Sequence, residues 1–353
     1  MALTTTTEVP ATVNRIHQTR LLRTAEPLLV YYVGSLPAEI AEHAGSFTAH
    51  WRQIANLTPT TSALTELTST LTLPTRTATQ LSSTDLTATI AKYGDHVFLS
   101  EEVDLINPTT HGRRYATNLG IQAGRSLNRL QRNILEDNAT LIRAGGAATD
   151  GEITDAMSLT IQQNAVNTLS RNSAMKFTGL ASGSTRVGSV PIPASYWGIC
   201  HVDVEEDIRG LTGFIAVEQY AGHIATMPGE FGMVTRTRIR WLSTEEASVD
   251  TDSGGDPGSL RSTSGQNADL YTSVVFGQEA HGTVGLGVSH IQSTYKSGDL
   301  IPAIQMIFHG KGTAGPGDPF NEVQSLAWKS FHAGLILDAT WIRGLRTGAN
   351  RLT

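Results

Sequence analysis

Few residues in this chain have types and spacing that could do chemistry. "GKGTAG", from Gly310 to Gly315, matches the glycine fingerprint of dinucleotide binding, and it follows an apolar run. It then enters "PGDP", which cannot open the helix whose N-terminus would hold a pyrophosphate. A Gly/Pro loop is the better reading. His201, Asp203 and Glu205 alternate, would share one strand face, and could ligate a metal. The competing reading makes Asp203 a helix cap, with Glu206 at capping-box spacing, and Glu205 then points elsewhere. Cys200, the single cysteine, lies in the apolar stretch "WGIC" and reads as an inert core thiol. Arg113, Arg114, Arg125, Arg129 and Arg132 fall around several faces of one helical pattern. They suggest a solvated face with inter-subunit salt bridges more than a stripe for nucleic acid. No phosphate-cradling GxxxxGK[ST], HExxH, CxxC or GxSxG occurs. No catalytic residue, cofactor or metal site is assigned. A metal-dependent enzyme using His201 and Asp203 stays only as a rival reading.

The bulk numbers point the same way. The chain has 353 residues and a net charge of -6, which argues against a dedicated nucleic-acid binder. Charged residues make up 16%, below the usual quarter or so, and Thr, Ser, Asn and Gly replace them. Such a surface suits one covered by other protein. One cysteine allows no disulfide within the chain. "MALTTTTEVPATVNRIHQTR" has no apolar core, and "PLLVYYVG" is too short to span a bilayer. A soluble chain with no membrane partner is expected.

The positioning elements come next. "SLPAEIAEHAG" predicts a small helix with Ser35 as N-cap, Pro37 in the first turn and Gly45 as stop. Residues 58–89 hold 13 threonines and three charges, Glu66, Arg76 and Asp85. "TSTLTLPTRT" and "TDLTATIAK" both alternate, which predicts a hairpin with Leu71 and Leu73, then Leu86, Ala88 and Ile90, on one face. The hairpin is too weakly apolar to hold a core of its own, so it is expected to lean on a neighbouring subunit. Tyr93-Gly94-Asp95 reads as a pivot, with Gly94 supplying unusual backbone angles. Ser100, Glu101 and Glu102 read as a helix start. Residues 109–146 carry an apolar face at Tyr115, Leu119, Ala123, Leu127, Leu130, Ile134 and Leu141, so they predict one long spine helix stopped at Gly145 and Gly146. Gly120 and Gly124 interrupt any coiled-coil pattern. A second helix (from Thr154), a buried strand "YWGICHV", a short helix "DVEEDIRGL", a strand "FGMVTRTRIRWLS" and a looped insert at 245–268 follow. Mixed elements without β-α-β alternation make the class α+β.

The order of arm, long hairpin, spine helix, mixed domain and returning strand resembles the major capsid (coat) proteins of tailed double-stranded DNA bacteriophages, with the Hong Kong 97-type fold. Four motifs carry the resemblance, which is nearest to the N-four-like podophage coat proteins: "LTATIAKYGDHVFLS"; "YWGICHVDVEEDIRGL", with Tyr196, His201, Asp203, Asp207 and Leu211 in matching places; "GEFGMVTRTRIRWLS"; and "DPFNEVQSLAWKSFHAGLIL", with Asp318, Pro319, Trp328 and Lys329 matching. The resemblance implies an N-terminal arm (1–56), an extended β-hairpin loop (57–91), a peripheral domain with the spine helix (92–151), an axial domain (152–320) and a returning strand with the C-terminus (321–353). It implies a structural protein that self-assembles as hexamers and pentamers into an icosahedral shell around double-stranded DNA. Partners would be further copies of itself, scaffolding, portal and decoration proteins, and weakly held DNA. The places would be the virion and, during assembly, the host cytoplasm. Inter-subunit contacts are expected at Leu71, Leu73, Arg76, Leu86, Ile90, Tyr93 and Gly94. A nanocompartment shell of the encapsulin type, with the same fold, is the alternative.

Overall fold

The alternation in "STDLTAT" produces a strand, Ser83–Thr89, with Leu86 and Ala88 turned inward and the threonines outward. The computed structural model describes residues 21, 24–40, 48–54, 57, 61, 81–102, 111–177, 192–220, 227, 229–284, 304–310, 320 and 322–351. Ser83–Thr89 runs antiparallel to Thr48–Ile54, with Ile54 opposite Ser83, and Glu39–Ile40 adds a third strand. The expected partner run, with Leu71, Leu73 and Arg76, lies outside the described residues. Leu86, Ala88 and Ile90 pack against Ala49, Trp51, Val284 and Ala333 of this same chain. This half of the predicted hairpin therefore finds apolar cover at home, which the sequence reading assigned to a neighbour.

A second correction concerns the pivot. Ala91–Ser100 is one continuous strand, paired antiparallel over its whole length with Val323–His332, and Ile304–His309 completes that sheet. Gly94 does not take a positive φ. It is needed for close approach, since a Cβ there would strike the Trp328 carbonyl oxygen across the ladder. The change of direction falls at Ile90, between the two strands. Residues 101 and 102 are helical, as the acidic start predicts.

Helix α1, His111–Asn138, covers this sheet; its 28 residues span about 42 Å. Ala116, Leu119, Ala123 and Leu127 meet Ile304, Met306, Leu326 and Trp328 in one apolar core. The helix ends earlier than its apolar spacing predicts. Leu141 belongs to a strand, Thr140–Arg143, which pairs parallel with Ile342–Thr347. Tertiary pairing there outweighs the continued helical period. Gly145 and Gly146 instead shape the turn after that strand, with φ of 65° and 75°. Gly120 and Gly124 have a use the sequence reading missed. A Cβ on Gly120 would sit 2.8 Å from the Leu21 carbonyl oxygen, and one on Gly124 3.0 Å from that of Ala25. The helical residues Leu21, Thr24 and Ala25 lie against the spine at these glycines, and Leu21 is fully buried there.

Of the segment "SLPAEIAEHAG", expected to be a small helix, residues 35–40 are described and are not helical. Leu36–Pro37 pairs parallel with His281–Thr283, which in turn pairs with Gly334–Ile336. Pro37 stands in the outer strand of this small sheet, where a missing N–H is tolerated. Ser35 Oγ donates to the Tyr32 carbonyl oxygen and caps nothing.

The largest sheet has eight strands. Seven follow the order Thr140–Arg143, Ile342–Thr347, Leu270–Phe276, Tyr196–His201, Ile239–Thr244, Glu230–Val234 and Phe214–Ala216, and Val249–Asp250 pairs beside Leu270–Phe276. "FGMVTRTRIRWLS" supplies two of these strands, because residues 235–238 turn, with Arg238 at φ 54°. Helices α2, Leu159–Arg171, and α3, Val202–Arg209, contribute Ile161, Ala165, Leu169, Val204 and Ile208 to the sheet's core. The closing segment serves two sheets, with Val323–His332 under α1 and Ile342–Thr347 inside the large sheet. The 245–268 insert is a loop knit by two carboxylates. Asp252 Oδ1 accepts from Ser264 N and Oγ, and Asp269 Oδ1 accepts from the N–H groups of Asp252 and Thr263.

Candidate assembly surfaces

The candidate chemical residues are already occupied. His201 ends its strand and its Nδ1 accepts from the Asp203 N–H at 3.1 Å, so the histidine caps α3 and Asp203 does not. The Asp203 carboxylate is held by the Arg261 guanidinium and by the Tyr271 hydroxyl at 2.8 Å. Glu205 pairs with Arg209 one turn on, at 2.7 Å. The three donors do not converge on a point, and among the described residues no group of His, Cys, Asp and Glu is arranged to hold a metal. Burial lowers the His201 pKa, against the pull of Asp203. Cys200 is fully buried, and burial raises its thiol well above the usual range, so the inert reading holds. Of the GKGTAG loop, only Gly310 is among the described residues.

Three of the spine arginines do form a stripe. Arg125, Arg129 and Arg132 stand four and three residues apart, which places them on one face. All three converge on Glu246, just past the Ile239–Thr244 strand. Arg125 lies 3.1 Å from its carboxylate, Arg129 bonds the other oxygen, and Arg132 donates to its carbonyl at 2.7 Å. These bonds lie within one chain and tie the spine to the large sheet, correcting the scattered, inter-subunit reading. A second ion pair is buried outright. Arg240 and Glu230 form two bonds of 2.7 Å, with side chains 2% and 0% exposed, and the guanidinium lies 4.2 Å from the Trp197 ring centre.

What the fold leaves open is strand edge and apolar surface. Ser83–Thr89 and Ala91–Ser100 each end their sheets, so each has one edge with no strand partner among the described residues. Phe98 is 64% exposed on the face of its strand turned away from α1, stacked edge-on with His96. A cleft of about 600 Å³ lies between Trp51 and Trp341, with the exposed Leu57 and Met175 at its rim. Of the predicted contact residues, Leu86 and Ile90 are half-buried in the Trp51 cluster, and Tyr93 is half-buried beside His332. Gly94 lies in the ladder, and Leu71, Leu73 and Arg76 fall outside the described residues.

No family model and no curated protein matches the chain. Solved structures match nearly all of it. It is similar to the capsid of Ralstonia phage GP4, at 12% identity over 87% of this chain and 85% of that one, with a TM-score of 0.61. The head structure of Helicobacter pylori bacteriophage KHP40 matches at 10% identity over 92% and 91%, with a TM-score of 0.55. The capsid of cyanophage P-SCSP1u matches at 13% identity over 92% and 89%, with a TM-score of 0.54. At such identities the likeness is one of fold. The chain has the Hong Kong 97-type fold of phage capsid proteins, as its motifs led one to expect. The matches do not single out the N-four-like group.

Proposed function

We propose that this chain is a major capsid protein that assembles as hexamers and pentamers into an icosahedral shell around double-stranded DNA. The observation that carries this is a fold match that spans both chains almost end to end, with capsid structures from several phages. The open strand edges, the exposed Phe98 and the low charge fit a surface completed by other copies. In this reading residues 1–56 are an arm, 57–91 an extended loop, 92–151 the peripheral domain, 152–320 the axial domain and 321–353 the return. The arm and the loop engage neighbours, through Leu71, Leu73 and Arg76 and the free edge of Ser83–Thr89. Many weak contacts in a closed symmetric shell then sum to stability. Its place is the virion shell, after assembly in the host cytoplasm with scaffolding, portal and decoration proteins. Net charge of -6 suits a wall that holds DNA weakly. The role is structural and not enzymatic, consistent with the prior use of His201 and Asp203 in capping and pairing.

Electron microscopy of the purified chain tests this. Uniform closed shells are expected, and a stable monomer at high concentration overturns it. The encapsulin-type alternative is not favoured, because the matched structures come from phages. Particles isolated with an enzyme cargo in place of DNA would reverse that preference.

A further inference from the structure

Buried polar side chains line the seam between α1 and the small sheet of Leu36–Pro37, His281–Thr283 and Gly334–Ile336. His281 is fully buried, with the Tyr31 main chain beside its ring and no side-chain hydrogen-bond partner. His332 is 4% exposed; its Nδ1 lies 2.8 Å from the Tyr32 hydroxyl, and its Nε2 has no partner. From the helix side, Asn128 Nδ2 and both amide atoms of Gln131 are also buried without partners. One turn, Val30–Tyr32, joins these parts. The Tyr31 N–H donates to Asn128 Oδ1 at 2.9 Å, and the Tyr31 hydroxyl donates to Glu136 at 2.8 Å. Native proteins leave few such groups unsatisfied, so their concentration on one seam calls for a role.

We propose that the Tyr31–Tyr32 turn, with His281 and His332, is an acid-sensitive latch between the spine helix and the small sheet. A proton on either buried imidazole would find no counter-charge, because no carboxylate among the described residues pairs with either ring. The titratable groups nearest are Tyr31 at His281, with Glu136 and Arg132 beyond it, and Tyr32 and Tyr93 at His332. Glu279, exposed, and Asp338, half-buried, both lie just past the His281 end of the same sheet without pairing with the ring, and Lys92 points outward. A buried charge without a partner is costly, and opening the seam relieves it. The effect would travel. The Trp51 indole packs on Gly282, where a side chain would collide with it, so Thr48–Ile54 and its partner Ser83–Thr89 ride on the small sheet.

Burial lowers the pKa of both rings to about 4, and the Tyr31 main chain opposes this weakly at His281. A released imidazole titrates near 6.5. The closed seam is therefore fully favoured above about pH 6.5 and loses ground as pH falls from there towards 4. The opening equilibrium rises about tenfold per pH unit for each histidine.

Hydrogen exchange read by mass spectrometry on the full chain tests the latch. At pH 5 against pH 7.5, corrected for intrinsic rates, residues 281–284 and 48–54 should lose roughly tenfold or more in protection relative to Tyr196–His201 and Leu270–Phe276. His281→Phe should remove one histidine's share of that response. An equal response in seam and large sheet, or an unchanged response in a folded H281F chain, overturns the proposal. If H281F does not fold, histidine C2 exchange in the unsubstituted chain decides. A midpoint near 4 supports the latch, and one near 6.5 overturns it.

Discussion

Arg240 shows how far a residue's role can depart from its spacing. In "TRTRIRW" three arginines alternate as if on one polar strand face. The turn at 235–238 breaks that phase, and Arg240 enters the core between Trp197 and Glu230. Nothing local in the sequence announces this, because the partner comes from the neighbouring strand. Glu230→Ala should cost about 3–5 kcal/mol in chemical denaturation, since it strands a buried guanidinium. Replacing both partners with apolar residues of similar volume should recover most of that loss. A single substitution that costs no more than a surface change would refute this account. Cys200 was legible by contrast, because an uninterrupted apolar strand says where a thiol must go. His201 was half legible: the helix start was visible two residues on, but which side chain caps it depends on a rotamer.

At the scale of elements, the spine helix was the clearest feature of the sequence and its end the least clear. Thirty residues of helical period continue into Leu141, where a parallel partner from the far end of the chain takes over. Spacing carries no trace of that partner. The glycines at 120 and 124 were visible only as an interruption. Their cause lies about a hundred residues upstream, in the helical residues that lie against them. Gly124→Val should lift those residues from the spine, at a cost of about 1–3 kcal/mol, and speed hydrogen exchange in 24–28 before the large sheet responds. The arginine stripe gives an asymmetric prediction. Arg125 is half-exposed, so Arg125→Ala should cost under about 1 kcal/mol. Glu246 has a 7% exposed side chain with two arginines on its carboxylate, so Glu246→Ala should cost roughly 2–3 kcal/mol. Equal melting curves for the two variants would count against the clamp.

For the whole molecule, class and architecture were legible because four motifs lie in the right order. Which strands share a sheet was not, since sheets here join residues 91 to 332, 36 to 282 and 140 to 343. The predicted hairpin needs a sharper boundary too. Strand Ser83–Thr89 is part of the body, so deleting it would expose Trp51. Replacing only 62–80 with a short Gly/Ser linker should leave melting nearly unchanged and abolish shells in electron micrographs. Normal shells from that variant would remove the loop from the assembly account. The reason the body should not notice is a matter of geometry. Ile54 and Ser83 face each other across one ladder, so the chain leaves and re-enters at a single doorway. Doubling the length of what passes through such a doorway costs only about 0.6 kcal/mol of closure entropy. Evolution can therefore lengthen, shorten or rewrite that excursion, and with it the spacing between neighbours, while the folding problem of the rest stays the same.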